Sequence, residues 1–484
     1  MSPEMNKSKV LSSLLWKLLE RSGSQGIQFI VQIILARLLM PEEYGIITIV
    51  MVFILLANVF VQSGFNTALI QKKEVDEVDF SSIFFLSLGV ATLLYGLIYM
   101  AAPFIAGFYT LPLLVPVLRV LSITLFIGAL NSIQNAYVAR NMLFKRLFIS
   151  SIGAVIVSGI VGILAAYKGW GVWALVAQLL TNQVTITLIL WFTVKWRPHL
   201  LFSLKRVKVL FAYANKLIAS ALIDTLYKDL SALIIAKMYA PSMLGFFNRG
   251  RQFPELIVAN INGSIQSVML PALSAHQDDK KRVKEMMRRA IVSSSFMIFP
   301  MMSGLAVVAK PLVLVLLTEK WLPTVPFLQI ACFAFAIMPI HTANLQAINA
   351  MGRSDIFLKL ELVKKTYGLI ILGISLFFGV YGIAIGLVLN GVISSFVNAF
   401  PNKKLLNYSY KEQLKDIMPA FFISGLMGVM VYALIYLNLE PWHTLVLQIV
   451  SGIVIYIGLA NLFHIESYYY LIATAKQLIK DRKR

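Results

Sequence analysis

Apolar residues recur along this chain in long runs separated by short polar turns, each run close to the roughly 20 residues a helix needs to cross a bilayer. Fourteen runs are predicted, near residues 12–39, 44–70, 80–107, 113–139, 147–167, 171–194, 210–238, 242–272, 291–317, 324–350, 357–378, 381–400, 417–438 and 442–463. The fold class expected is an all-α polytopic membrane protein with about 14 transmembrane helices. The first run follows Lys7 and Lys9 as a signal peptide would. It holds Lys17, Glu20 and Arg21 and lacks a small-residue cleavage site, so it reads as a retained first helix.

The pattern repeats. Ala36 to Ile46, ARLLMPEEYGI, is echoed two hundred residues on within Ala236 to Glu255, AKMYAPSMLGFFNRGRQFPE: Ala36 and Ala236, Arg37 and Lys237, Pro41 and Pro241, Gly45 and Gly245. Phe144-Lys145 matches Phe357-Leu358-Lys359, and the stretch from Gly169 to Leu175 matches that from Gly379 to Ile385. Each repeat therefore holds six spans. An even number gives both halves one orientation, the parallel-repeat design in which sites lie where the repeats meet. The expected organisation is a six-helix bundle over 1–208, a second over 209–402, two additional transmembrane helices over 403–464 and a basic cytoplasmic tail over 465–484. The spacing from Tyr468 to Lys480 suits a helix lying on the membrane surface.

Composition supports a membrane location: 59% of the 484 residues are hydrophobic and 13% charged, with a mean hydropathy of +0.79, against about 45–50% apolar in soluble domains. The net charge of +21 would suit nucleic acid only if the cations shared one soluble face. They sit instead in short loops. With the N-terminus inside, 29 loop and tail cations fall on the inner side and only Arg37, Lys168, Lys237, Lys310 and Lys320 on the outer, so both termini are expected in the cytoplasm. One cysteine, Cys332, rules out disulfides and cysteine metal clusters. The five histidines are scattered without ligand neighbours. No Walker A loop or GxSxG occurs, so neither a nucleotide-driven pump nor a common hydrolase is indicated. The sequons at Asn6, Asn262 and Asn407 fall on the inner side or inside a helix and read as chance.

Ionisable groups inside spans cost roughly 2.5–3.5 kcal/mol on insertion scales, so they usually face protein or water. In the first span Lys17, Arg21, Gln25, Gln28 and Gln32 form one stripe at helical spacing. In the seventh, Asp224, Lys228 and Ser231 do the same, with Lys228 two hundred residues after Gln28. These seams either line a water-filled cavity or glue helices together, and cations in both halves favour the cavity. Arg249 and Arg251 lie about 200° apart around a helix and point different ways. Arg251 can reach Glu255 one turn on, whereas Arg249 has no local carboxylate and is the sharper cavity candidate. Arg119 is another. The substrate-binding candidates are thus Arg21, Gln25, Gln28, Arg119, Lys228, Arg249 and Arg251. Asp224 and Asp229 are candidates for ion coupling, although Asp224 with Lys228 equally suits a structural pair. No residue set points to catalysis or to a metal.

The motifs MPEEYGI, GFNTALIQKKE, GWGVWALVAQ, WRPHLLFS, LGFFNRGRQFPELI, LPALSAHQDD, EKWLPTVPFLQI and AMGRSD occur in order between Met40 and Asp355. Together they resemble the polysaccharide-transport, oligosaccharide-lipid flippase family of the multidrug/oligosaccharidyl-lipid/polysaccharide exporter superfamily, in its colanic-acid and teichuronic-acid exporter-like subgroup. The resemblance implies two six-helix bundles around a central cavity. It also implies export of undecaprenyl-diphosphate-linked oligosaccharide from the cytoplasmic to the periplasmic or outer leaflet for surface polysaccharide assembly, in a bacterial inner membrane. Arg249 comes over as a site position through LGFFNRGRQFPE.

Chemistry fits that implication. A lipid diphosphate seeks cations and hydration for its head while its tail stays in lipid, and guanidinium donors match phosphate oxygens. The partners expected are polyprenyl-diphosphate oligosaccharide, membrane lipids and polysaccharide polymerase machinery, without nucleic acid. No cofactor is expected, with H+ or Na+ as the candidate coupling ion. A cation-coupled multidrug exporter of the same superfamily is the competing reading, but its cavity should favour acids. A membrane polysaccharide polymerase or ligase is another, but it usually needs a sizeable outer loop.

Overall fold

The structure, a computed structural model, describes residues 7–72 and 75–482, and every regular element among them is helical. Lys73, counted with the inner loop cations, Lys483 and Arg484 of the basic tail, and the sequon at Asn6 lie outside the described residues.

The all-α polytopic class stands, but the count of about fourteen spans is not confirmed. Among the described residues eleven helices are long and apolar enough to cross a membrane. A twelfth is added if Leu204–Ala212 and Ala214–Met238, bent by 53° at their break, form one span. Two features explain the difference. The first helix, Lys7–Leu38, carries the polar stripe, which lowers its hydropathy. The single apolar stretch Ser354–Leu406 is two helices, Ser354–Ser375 and Gly379–Leu406. They fold back on one another: Tyr367 Oη lies 2.5 Å from Ser394 Oγ, and Gly386 meets Ser375 and Ile371.

Contacts divide the chain into two compact units, Met1–Gly245 and Phe246–Arg484. The first unit has a core that includes Phe65, Ile83, Phe84, Ile133, Leu190 and Trp196. The helix Lys7–Leu38 packs on Phe144–Tyr167, where Val31 occupies the space a Cβ on Gly159 would need. The second unit has a core that includes Met287, Ile291, Phe299, Ile340, Ile423 and Tyr456. The last two spans belong to that core: Ser303 Oγ donates to the Ser424 carbonyl at 2.9 Å and Tyr456 Oη to the Phe296 carbonyl at 2.7 Å.

The sequence repeat is visible in backbone terms. Gly169 and Gly379, which open the matched stretches, both sit at φ 74°, a conformation costly for any residue with a Cβ. In the first unit the clearest echo becomes a contact. Pro41 and Pro241 each begin a helix, where a missing N–H costs nothing. One turn in, a Cβ on Gly45 would run into the carbonyl oxygen of Pro241, and one on Gly245 into that of Pro41. The two first turns cross reciprocally, each occupying the space a side chain would fill in the other.

Candidate functional site

In the first unit the polar stripe of Lys7–Leu38 is divided between packing and exposure. Lys17 pairs with Glu20 at 2.8 Å, and Glu20 accepts from Ser151 Oγ at 3.2 Å. Gln32 donates to Gln178 Oε1 at 3.4 Å. These groups bind neighbouring helices. Arg21 is exposed, and Gln25 and Gln28 are half-buried between the two bonded ends. On Ala214–Met238, Lys228 is exposed and Asp224 and Asp229 are half-buried, neither without a partner. Arg119 sits on the short helix Leu114–Leu121. Its Cζ lies 3.9 Å from the Tyr99 ring centroid, and its Nε donates to the Tyr99 carbonyl at 3.4 Å. The ring offers a cation its negative face.

In the second unit two of the quoted motifs meet. The Arg249 side chain is buried, at 6% exposure. Its Nη1 donates to Gln252 Oε1 at 2.6 Å, and its Cζ lies 5.3 Å from the ring of Trp321, which is itself fully buried. Trp321 comes from EKWLPTVPFLQI, Arg249 from LGFFNRGRQFPELI. Gly250 makes the approach close: a Cβ there would come within 2.7 Å of Phe327 Cβ and 2.8 Å of the Leu328 nitrogen. Arg251 diverges from Arg249 as the helical angle requires. Its Cζ lies 5.3 Å from the Phe247 ring, and Glu255 is exposed.

Two clusters at helix starts were not singled out as sites in the sequence. The helix Glu77–Tyr109 is capped by Asp76, which accepts from the Asp79 N–H at 2.9 Å. Asp79 is fully buried, with Lys72 at 2.5 Å and Arg206 at 3.7 Å. Arg206 also meets Asp76 at 3.0 Å. The segment leaving Val172–Thr193 is strapped to the same turns: Trp196 Nε1 donates to Glu77 at 2.8 Å, the His199 N–H to Ser81 Oγ at 3.1 Å and the Ser203 N–H to Ser82 Oγ at 2.9 Å. In the second unit the helix Lys280–Val307 is met by the segment leaving Gly379–Leu406. Lys284 donates to the Asn407 carbonyl and lies 3.3 Å from Glu412. Arg288 reaches Asp416 at 3.0 Å and Glu466 at 3.2 Å. Tyr408 Oη donates to Asp416 at 2.6 Å.

Buried polar side chains also line the second unit's interior. Asn344 donates to Gln413 Oε1 at 2.8 Å and accepts from Asn402 Nδ2 at 2.7 Å. His341 lies between the Gly391 carbonyl and Asn398. Among the described residues no group of three or more His, Cys, Asp or Glu could hold a metal ion.

Fold and site together define a polytopic helical membrane protein with cations and buried amides inside its spans. Its architecture is similar to that of the lipid II flippase MurJ in an inward closed conformation, with a TM-score of 0.76 over 95% of this chain and 100% of that one at 16% identity. It is also similar to an inward-facing multidrug resistance MATE family transporter, with a TM-score of 0.60 over 81% of this chain and 98% of that one at 17% identity. Residues 34–326 match the model of a family described as "Polysaccharide biosynthesis protein", and the chain belongs to that family. Similar curated proteins include the lipopolysaccharide biosynthesis protein WzxC of Escherichia coli (strain K12), 24% identical and covering 88% of both chains. The teichuronic acid biosynthesis protein TuaB of Bacillus subtilis (strain 168) is 24% identical, covering 83% of this chain and 85% of its own. The succinoglycan biosynthesis transport protein ExoT of Rhizobium meliloti (strain 1021) is 23% identical, covering 75% and 74%. The subgroup resemblance read from the motifs agrees with these relatives.

Proposed function

We propose that this chain is a flippase that moves undecaprenyl-diphosphate-linked oligosaccharide from the cytoplasmic to the periplasmic or outer leaflet by alternating access. The reading is carried by one conjunction: relatives in surface-polysaccharide biosynthesis over most of the chain, on the architecture of a lipid II flippase. The physical chemistry supports it. Cations outnumber acids among the intramembrane candidates, which suits an anionic lipid diphosphate better than the hydrophobic cations of a drug exporter. Arg21 and Lys228 are the exposed cations among the first unit's substrate-binding candidates and the groups proposed to meet the diphosphate first. In the second unit Arg249 is proposed as a substrate contact on leaving its place between Gln252 and Trp321, and Arg119 and Arg251 are weaker contributors, each in its own unit. The membrane is proposed to be the bacterial inner membrane, with both termini cytoplasmic and a polymerase receiving the product.

Vesicles carrying the protein and a fluorescent undecaprenyl-diphosphate oligosaccharide should show protein-dependent leaflet exchange. Its absence across several glycans, with and without an ion gradient, would sink the reading. Arg249→Ala should abolish export at normal protein levels, and full export would remove Arg249 from the mechanism. Cysteine labelling at Lys168 should report the outer side.

A further inference from the structure

The one histidine in the span Thr324–Ala350 sits nine residues from the Ala350 end, about 14 Å along a helix rising 1.5 Å per residue. His341 Nε2 lies 3.0 Å from the Gly391 carbonyl oxygen. A carbonyl only accepts, so Nε2 carries the ring proton. In the neutral ring Nδ1 is then a bare acceptor and needs a donor, which Asn398 Nδ2 supplies at 3.1 Å. That choice fixes the amide. Asn398 is fully buried, and its Oδ1, turned away from the ring, has no hydrogen-bond partner. A buried carbonyl without a donor costs free energy.

We propose that His341 and Asn398 form a proton-binding site, in which rotation of the Asn398 amide accommodates the proton. When Nδ1 gains a proton it becomes a donor and repels the amide N–H. Turning the amide by 180° brings the orphan Oδ1 round to accept, with Nε2 still bonded to Gly391. The same two side chains thus hold both charge states, and the half-buried ring leaves the proton a way in. The cation that the imidazolium must coexist with is Lys364, whose ion pair with Glu361 at 2.5 Å tempers the repulsion. Lys365 and Tyr367 share that helix, and Cys332 lies on the histidine's own span. The helix Gly379–Leu406 brings only Tyr381 before Lys403, and Lys280–Val307 brings no ionisable group after Arg289. Those of Tyr410–Leu437 cluster between Tyr410 and Asp416, apart from Tyr432 and Tyr436.

Coupling of this proton to export rests on the flippase reading, whereas the proton site does not, and the measurements separate the two. Nitrogen-15 NMR of the full chain in nanodiscs, with H341Q to assign the resonance, should show a neutral Nε2–H ring that becomes imidazolium as the pH is lowered. The Asn398 side-chain amide should move with the same midpoint. N398D, whose carboxylate only accepts, should hold the imidazolium at a pH where the wild type has lost it. A ring protonated on Nδ1 when neutral, a ring that never titrates, or an Asn398 amide indifferent to the titration would overturn the site. In vesicles an imposed proton gradient should accelerate wild-type leaflet exchange severalfold, and H341Q should lose that acceleration. Equal acceleration in both would overturn the coupling. A wild type without any exchange would count against the flippase reading and leave NMR to decide the site.

Discussion

At the start of Glu77–Tyr109 the acids belong to the helix and Arg206 to the segment leaving the sixth span of the first repeat. At the start of Lys280–Val307 the bases belong to the helix, and Glu412 and Asp416 to the segment leaving the sixth span of the second. The two starts occupy matching places, with Asp79 and Asp279 two hundred residues apart. The position of the strap is duplicated while its polarity is inverted, so what the fold requires there is complementarity, not a given residue. Burial also differs. Asp79 is sealed from solvent, whereas Arg288 and Glu466 are 38% and 70% exposed. Removing the partners of a sealed charge is costly, while an exposed pair contributes little.

The sharpest way to break this comparison is Lys72→Met with Arg206→Met, which strands the Asp79 carboxylate. The expected loss is about 3–5 kcal/mol, read as thermal unfolding in detergent; a loss no larger than that of a surface pair would place Asp79 in water. Tyr408→Phe comes next, at about 0.5–1.5 kcal/mol for the bond to Asp416. Burial, then that bond, push the Tyr408 phenol above its ordinary range, so it stays a donor at any workable pH. Arg288→Ala should cost about 0–1 kcal/mol and should shrink further in high salt. The smallest effect concerns Asp76. The Asp79 N–H, followed by Arg206, holds its carboxyl below the usual value. A depressed folded-state value contributes stability above the unfolded-state value and loses it as pH falls through the folded one. Asp76→Asn should therefore flatten the acid limb of the stability curve, and an unchanged limb would refute the assignment.

The helical class and the divergence of Arg249 from Arg251 were legible because each follows from periodicity within one segment. Partners across segments were not. A stripe at helical spacing names a face without naming its neighbour, so nothing in the first span told Gln32, bound to Gln178, from the exposed Arg21. Trp196 lies 119 residues from Glu77, and WRPHLLFS carries no periodic mark of that bond. His341 read as one scattered histidine because Asn398, which gives it meaning, stands 57 residues on. Arg249 was legible as a cation without a local acid, but its seat against Trp321 depends on two motifs meeting. The span count is not confirmed at Lys7–Leu38 for the opposite reason: the polar residues that mark this helix as interesting also keep it from passing as an apolar span.

The interlock of Pro41–Gly45 with Pro241–Gly245 bears on why these two stretches stay alike. Here each copy is the other's mould: the room denied to a side chain at one glycine is taken by the opposite proline's carbonyl. A side chain at either glycine would meet a backbone carbonyl, which no substitution at the opposite proline takes away. The echo that remains readable after so much divergence stands where the two copies police one another.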